Sequence, residues 1–308
     1  MIFFYWIFLS GTVFIVGALI ARIFITSPSG SDICIPSKGK KCLGDSAILA
    51  IFVVSVITLT VNIVHLILHC SVMTMTPLKE VFSILPLFLL KTKYGMISLI
   101  RVFLQVAVVL LLFYSLKNNQ KWVSFSAVLF SLFVVITLTM SGHQGTKGYF
   151  SMPFFIDLVH FIAITLWIGS LFFIQYCYSF LIKGAGVNLW DIFLSLINRF
   201  SRMATVSVGI VVITGLALSV FNFDSISKVV STQYGIVLLV KTVSVAIILL
   251  FGALNKFFII PHLNNADHDW TKLTSLRNRL HMFMTTEVVF GLLTLLATSV
   301  LTHLSPGS

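Results

Sequence analysis

The chain has 308 residues, of which 58% are apolar and 9% charged, with a mean hydropathy of +1.07. Apolar runs of about 18 or more residues recur from end to end, which excludes a soluble domain and defines an all-α integral membrane protein. The net charge of +11 is scattered over short loops, so it excludes a nucleic-acid surface and instead sets topology and meets anionic lipid.

Eight spans are predicted, at 2–25, 46–70, 94–116, 122–140, 154–181, 201–221, 235–257 and 281–304. At about 1.5 Å per residue each approaches the roughly 30 Å of hydrocarbon it must cross. The first run has no basic residue before it and is too long for a signal-peptide core, so it reads as a true first helix. Segment 78–91 is apolar but short and holds Pro86, which predicts an interfacial or re-entrant piece. Segment 186–200 reads as a second interfacial, amphipathic helix.

Orientation follows from Lys and Arg. Setting aside Arg101 and Lys241, which fall inside spans, thirteen basic residues flank or occupy the odd-numbered loops and five the even ones. That excess places the odd loops in the cytoplasm and both termini outside. Cys34 and Cys42 in the first loop pull the other way, since such a pair suits a disulfide in an oxidising compartment. Cys70 and Cys177 read as small apolar helix residues.

An internal repeat is visible. Thr92-Lys93-Tyr94-Gly95 leads into a helix with Arg101, and Thr232-Gln233-Tyr234-Gly235 into another with Lys241. The offset is 140 residues, so the copies share one orientation. The chain then reads as a single polytopic domain of two parallel four-helix halves, 1–140 and 141–308.

Polar groups inside apolar runs are functional candidates, because hydrocarbon does not solvate them. His65 and His69 share one face near the outer end of the second span, with Met73 close behind. Met140 and His143 end the fourth span, and Asp157 and His160 open the fifth. Imidazole and thioether gathered at one membrane face suit copper, as Cu(I) or Cu(II), better than zinc. Asp157 is either a ligand or the partner that fixes an imidazole tautomer. Trp167 follows on the same side as His160. Arg101, Lys241 and Glu287 are intramembrane charges that either snorkel or pair inside the bundle as a gate. The sequence holds no nucleotide-binding loop, dinucleotide fingerprint, H-E-x-x-H or nucleophile elbow, and it is not read as an enzyme.

Several of these residues form an ordered set. Ser141-Gly142-His143, Asp157-Leu158-Val159-His160, Leu166-Trp167-Ile168-Gly169 and Arg199-Phe200-Ser201-Arg202 are followed by Thr232 to Gly235 with Lys241, Leu254-Asn255 before Pro261, and Glu287. In order and spacing the second half resembles the bacterial copper resistance protein D (CopD) family, while the first half is matched mainly by Tyr94-Gly95 and Arg101. The resemblance implies an eight-helix inner-membrane protein that takes copper from the periplasm, with His143 and His160 matching family histidines. No fused CopC-type domain is seen, so a separate periplasmic CopC-type chaperone is the implied partner.

The leading reading is a copper permease with an outward-facing site drawn from His143, His160, His65, His69, Met73 and Met140. Asp157, Trp167, Arg101, Lys241 and Glu287 would tune or gate it, and copper would pass along the seam between the halves. The alternative is a b-type haem oxidoreductase in which histidines of the second and fifth spans ligate haem. Purified protein is expected to bind copper and to show no Soret band; a Soret band in the visible spectrum would establish the alternative.

Overall fold

The computed structural model describes residues 1–26, 34–35, 41–118, 120–142, 145, 148–149, 151–184, 189–222, 232–264 and 270–304. Eight of its helices are long and apolar enough to cross a membrane: Ile2–Ile25, Leu43–Thr74, Lys93–Lys117, Trp122–Ser141, Met152–Ile182, Trp190–Phe221, Gln233–Asn264 and Leu273–Leu301. They are called the first to eighth spans below. Val81–Lys91 is a shorter apolar helix carrying Pro86, and it lies against the second and third spans through Val81 and Phe88. The predicted break near residue 200 is absent, because one helix runs from Trp190 to Asn222. Trp190, Phe193, Ile197 and Phe200 recur at helical spacing and are all buried, so the apolar stripe carries straight into the membrane and no interfacial helix separates off.

Each T-x-Y-G motif starts a span for the same local reason. The Thr92 hydroxyl accepts from the Gly95 amide at 2.9 Å, and the Thr232 hydroxyl from the Gly235 amide at 3.0 Å. Both are N-caps that satisfy a donor the helix cannot. Gly95 is also a close approach: a Cβ there would stand 2.3 Å from the Phe88 carbonyl oxygen.

The first span is the hub. It is apolar all round and buries residues on every side, as a helix surrounded by others must. It packs against the second, fourth, fifth and eighth spans. Trp6 donates to the Leu292 carbonyl at 3.0 Å, Ser299 to the Ile2 carbonyl at 2.8 Å and Ser170 to the Gly17 carbonyl at 3.2 Å. It meets the fifth span at a crossing of Gly17 on Gly169, where a Cβ added to Gly17 would stand 2.4 Å from the Gly169 Cα. Small residues permit this approach. A π turn over Thr165–Gly169 sets the fifth-span backbone there. Leu9, Val13, Ala163, Ile164, Trp167 and Ile168 pack around it. At this crossing the first and fifth spans therefore meet through backbone and closely packed apolar side chains.

Pairing recurs along the chain: first on second, third on fourth, fifth on sixth, seventh on eighth. The second and third spans also pack together. The sixth and seventh instead line a cavity of about 290 Å³. In the first loop, β1 (Cys34–Ile35) and β2 (Lys41–Cys42) form an antiparallel ladder that sets Cys34 opposite Cys42, and Cys42 is disulfide-bonded. Cys70 and Cys177 are free and buried.

Gly17→Leu is expected to lower stability by more than the roughly 1–3 kcal/mol typical of overpacking, because backbone, not a flexible side chain, blocks it. Gly209→Leu, where nothing lies within 4 Å, is the control. Thermal melts in detergent check this; equal midpoints for the two variants would refute the crossing.

Candidate metal-binding site at the terminal face

Both termini lie on one membrane face, because the number of spans is even. Four chain segments meet there: the start of the first and third spans and the end of the second and eighth. His65 and His69, one turn apart on the second span, have stacked rings with centroids 5.8 Å apart. Tyr5 lies 5.2 Å from His65, and Tyr94 lies 4.1 Å from His69. His303 completes the group, 6.3 Å from His65 and 5.5 Å from Tyr5.

The polar atoms of this group are incompletely satisfied. Among the described residues, His65 Nε2 and both ring nitrogens of His69 are buried with no hydrogen-bond partner. Each such atom costs on the order of 1–3 kcal/mol unless something fills it. His303 Nδ1 donates to the Ser299 carbonyl at 2.8 Å. That bond fixes its tautomer and leaves the Nε2 lone pair available, as in histidines that bind metals. Among the described residues no three His, Cys, Asp or Glu side chains already stand in metal-holding geometry.

Arg101 lies beside this group, 1% exposed. It donates to the Thr137 hydroxyl at 3.1 Å, to the Thr137 carbonyl at 2.8 Å and to the Ser141 hydroxyl, with its guanidinium 5.7 Å from the Phe8 ring centre. These acceptors are neutral, so the guanidinium charge is solvated by dipoles.

His160 belongs to a second group, whose Asp157 also acts electrostatically on Tyr5. His160 Nδ1 meets the Thr214 hydroxyl at 2.8 Å, and that hydroxyl donates onward to the Ile210 carbonyl at 2.5 Å. With its one proton committed, Thr214 accepts from Nδ1–H, and His160 Nε2 carries the lone pair. Thr214 is thus a hydrogen-bond partner of the His160 ring. Lys241 acts electrostatically on both Asp157 and His160. Gly215 leaves room for the ring, since a Cβ there would stand 3.4 Å from His160 Cε1. His65 and His160, the pair that bis-histidine haem ligation would use, lie in different halves with different neighbours.

Glu287 sits elsewhere. It is 4% exposed and accepts from the Asn255 amide at 2.6 Å. Asn255 is fourteen residues beyond Lys241 on the same span, or roughly 21 Å by helical rise. Glu287 therefore pairs with neither Arg101 nor Lys241, and it faces the cavity between the sixth and seventh spans. Trp167, 4% exposed, lines the same cavity. Lys256 at its edge donates to the Thr205 hydroxyl at 2.7 Å. Met73 and Met152 are exposed on the outside of the bundle, and Met140 is half-buried at the end of the fourth span. His143 lies outside the described residues. Sequence reasoning singled out His65 and His69 but not His303 and Tyr5, which lie beside them. Both sit at the terminal ends of their spans, a signal that topology alone could have supplied.

Two family models match. Copper resistance protein D matches residues 194–301, and the copper resistance protein D-like N-terminal domain matches residues 1–149. The second match falls on the half in which the sequence showed only a few family residues. No curated protein and no solved structure matches the chain. The eight apolar helices define a multi-pass membrane protein with polar side chains gathered at points inside an apolar bundle. The chain belongs to the copper resistance protein D family, and it is a copper-resistance-related membrane protein.

Proposed function

We propose that this chain is a copper permease of the bacterial inner membrane. It accepts copper at the terminal face through His65, His69 and His303, and passes it to the other side. The observation that carries this reading is the set of buried ring nitrogens without partners on His65 and His69, beside a His303 whose Nε2 is available. A copper ion is the group that would satisfy them at once, since imidazole binds copper in either oxidation state. Tyr5 and Tyr94 wall the site. His160, with Asp157 and Lys241 acting on this group, forms a second polar group on the same face. The chain carries no nucleotide-binding motif, so movement is passive or ion-coupled.

Orientation rests on the excess of Lys and Arg in the odd loops, which favours periplasmic termini. With the termini periplasmic, the histidines would face a separate CopC-type chaperone. The disulfide at Cys42 opposes that orientation, because a reducing cytoplasm would open it. The two halves, 1–140 and 141–308, are read as a duplication whose second copy has changed its polar residues.

Two measurements test the reading. The double variant His65→Ala, His69→Ala is expected to lose at least about 100-fold in copper affinity, because loss of mere outer-shell partners already costs 10–100-fold. His160→Ala should stay within a few-fold of wild type. Competition titration of purified protein measures both; an unchanged double variant would sink the site. For orientation, an alkaline phosphatase fused to the C-terminus is expected to be active in cells and a green fluorescent protein to be dark. The reverse would put the termini inside, as the Cys42 disulfide demands.

A further inference from the structure

We propose that the cation leaves the histidines through the interior of the first four-helix bundle, not along the seam between the halves. This deepens the permease reading above and rests on it.

The second span carries one polar stripe on its buried face. His69, His65, Asn62, Thr58 and Ser55 recur at spacings of four and three, a helical face that continues for roughly 21 Å of rise. Asn62, Thr58 and Ser55 are 2%, 1% and 4% exposed. The third span answers with Ser98, Arg101 and Gln105, all buried. The Asn62 amide donates to the Gln105 carbonyl oxygen at 2.7 Å, directly below the histidines. Beneath that pair lies a cavity of about 20 Å³ lined by Thr12, Ser55, Gln105 and Ser131, among others. That volume holds about one water.

Buried hydroxyls in membrane helices often do nothing more than bond their own helix, and Ser55, Thr58 and Thr12 do bond carbonyls four residues back. That accounts for their protons and leaves their lone pairs facing inward. It accounts for neither the cross-helix amide pair nor the partnerless buried hydroxyl of Ser98. An amide pair in hydrocarbon is expensive and marks a path or site by default. The second half offers a comparison within the molecule. At the same distances from Tyr234 that separate Ser98 and Gln105 from Tyr94, it has Leu238 and Val245. The polar column thus belongs to the first half alone.

The column ends on a plug. Ile51, Val108 and Leu112, each under 5% exposed, pack in one apolar cluster below the cavity. Beyond them Arg22 donates to the Ser124 hydroxyl at 2.7 Å near the opposite face. The structure is therefore closed toward the face of the first loop. Among the described residues no sulfur lines the column, so below the level of the Arg101 guanidinium a cation leaving the imidazoles would be held by neutral oxygen and water.

The test uses full-length protein in proteoliposomes, loaded with copper, alongside copper titration in detergent. Ser55→Leu overfills the small cavity and is expected to cut copper flux by about tenfold or more, with copper affinity and stoichiometry as in wild type. Gly252→Leu, which projects into the large cavity of the second half, is expected to leave flux near wild type. Wild-type flux through Ser55→Leu, or a block by Gly252→Leu alone, overturns the proposed path while leaving the histidine site standing. If Ser55→Leu loses copper binding, the similarly sized Gln105→Leu decides on the same criteria. A wild type that binds copper but carries none across overturns the permease reading and the path with it.

Discussion

The contact of Gly17 with Gly169 fixes how the two halves of this protein can be arranged. With no side chain between them, the first and fifth spans touch backbone to backbone at mid-membrane. Hydrocarbon supplies no hydrophobic drive between helices, so close packing of this kind holds membrane bundles together. The crossing is tight and ringed by apolar side chains, so buried polar side chains must find their partners to either side of it.

The halves solve that problem differently. In the first, polar side chains face inward and meet one another, from the histidines through the Asn62–Gln105 pair to the small cavity. In the second, the sixth and seventh spans part around a larger and mostly apolar cavity, with Glu287 held by Asn255 at its wall. Equivalent starting motifs, capped by Thr92 and Thr232, lead into helices whose interiors have diverged. The two intramembrane cations diverge likewise. Arg101 rests on neutral oxygen acceptors, whereas Lys241 has Asp157 nearby.

Much of this was legible in the sequence. The eight spans, the short helix with Pro86 and the repeated helix starts follow from apolar run length and capping chemistry. Segment 186–200, read as a separate interfacial helix, is instead continuous with the sixth span, because the buried stripe from Trp190 to Phe200 runs on unbroken. Helical rise orders His65, His69 and His160 along their spans once those are placed. Lateral neighbours are another matter, and the His160 ring engages Thr214 on the sixth span. Glu287 was grouped with Arg101 and Lys241 only because all three are charges inside spans, and depth along the seventh span separates them.

The sequence by itself determined that this chain lives in a membrane, how many times it crosses, and which polar residues must be shielded from lipid. Those properties depend on transfer free energy and helical period, which act locally along the chain. Only the tertiary structure decided which of those residues meet: His303 with His65, Asn62 with Gln105, Asn255 with Glu287. Lateral neighbours are set by the crossings of helices far apart in sequence, above all at Gly17 and Gly169, and the spacing of residues along one helix carries no record of them.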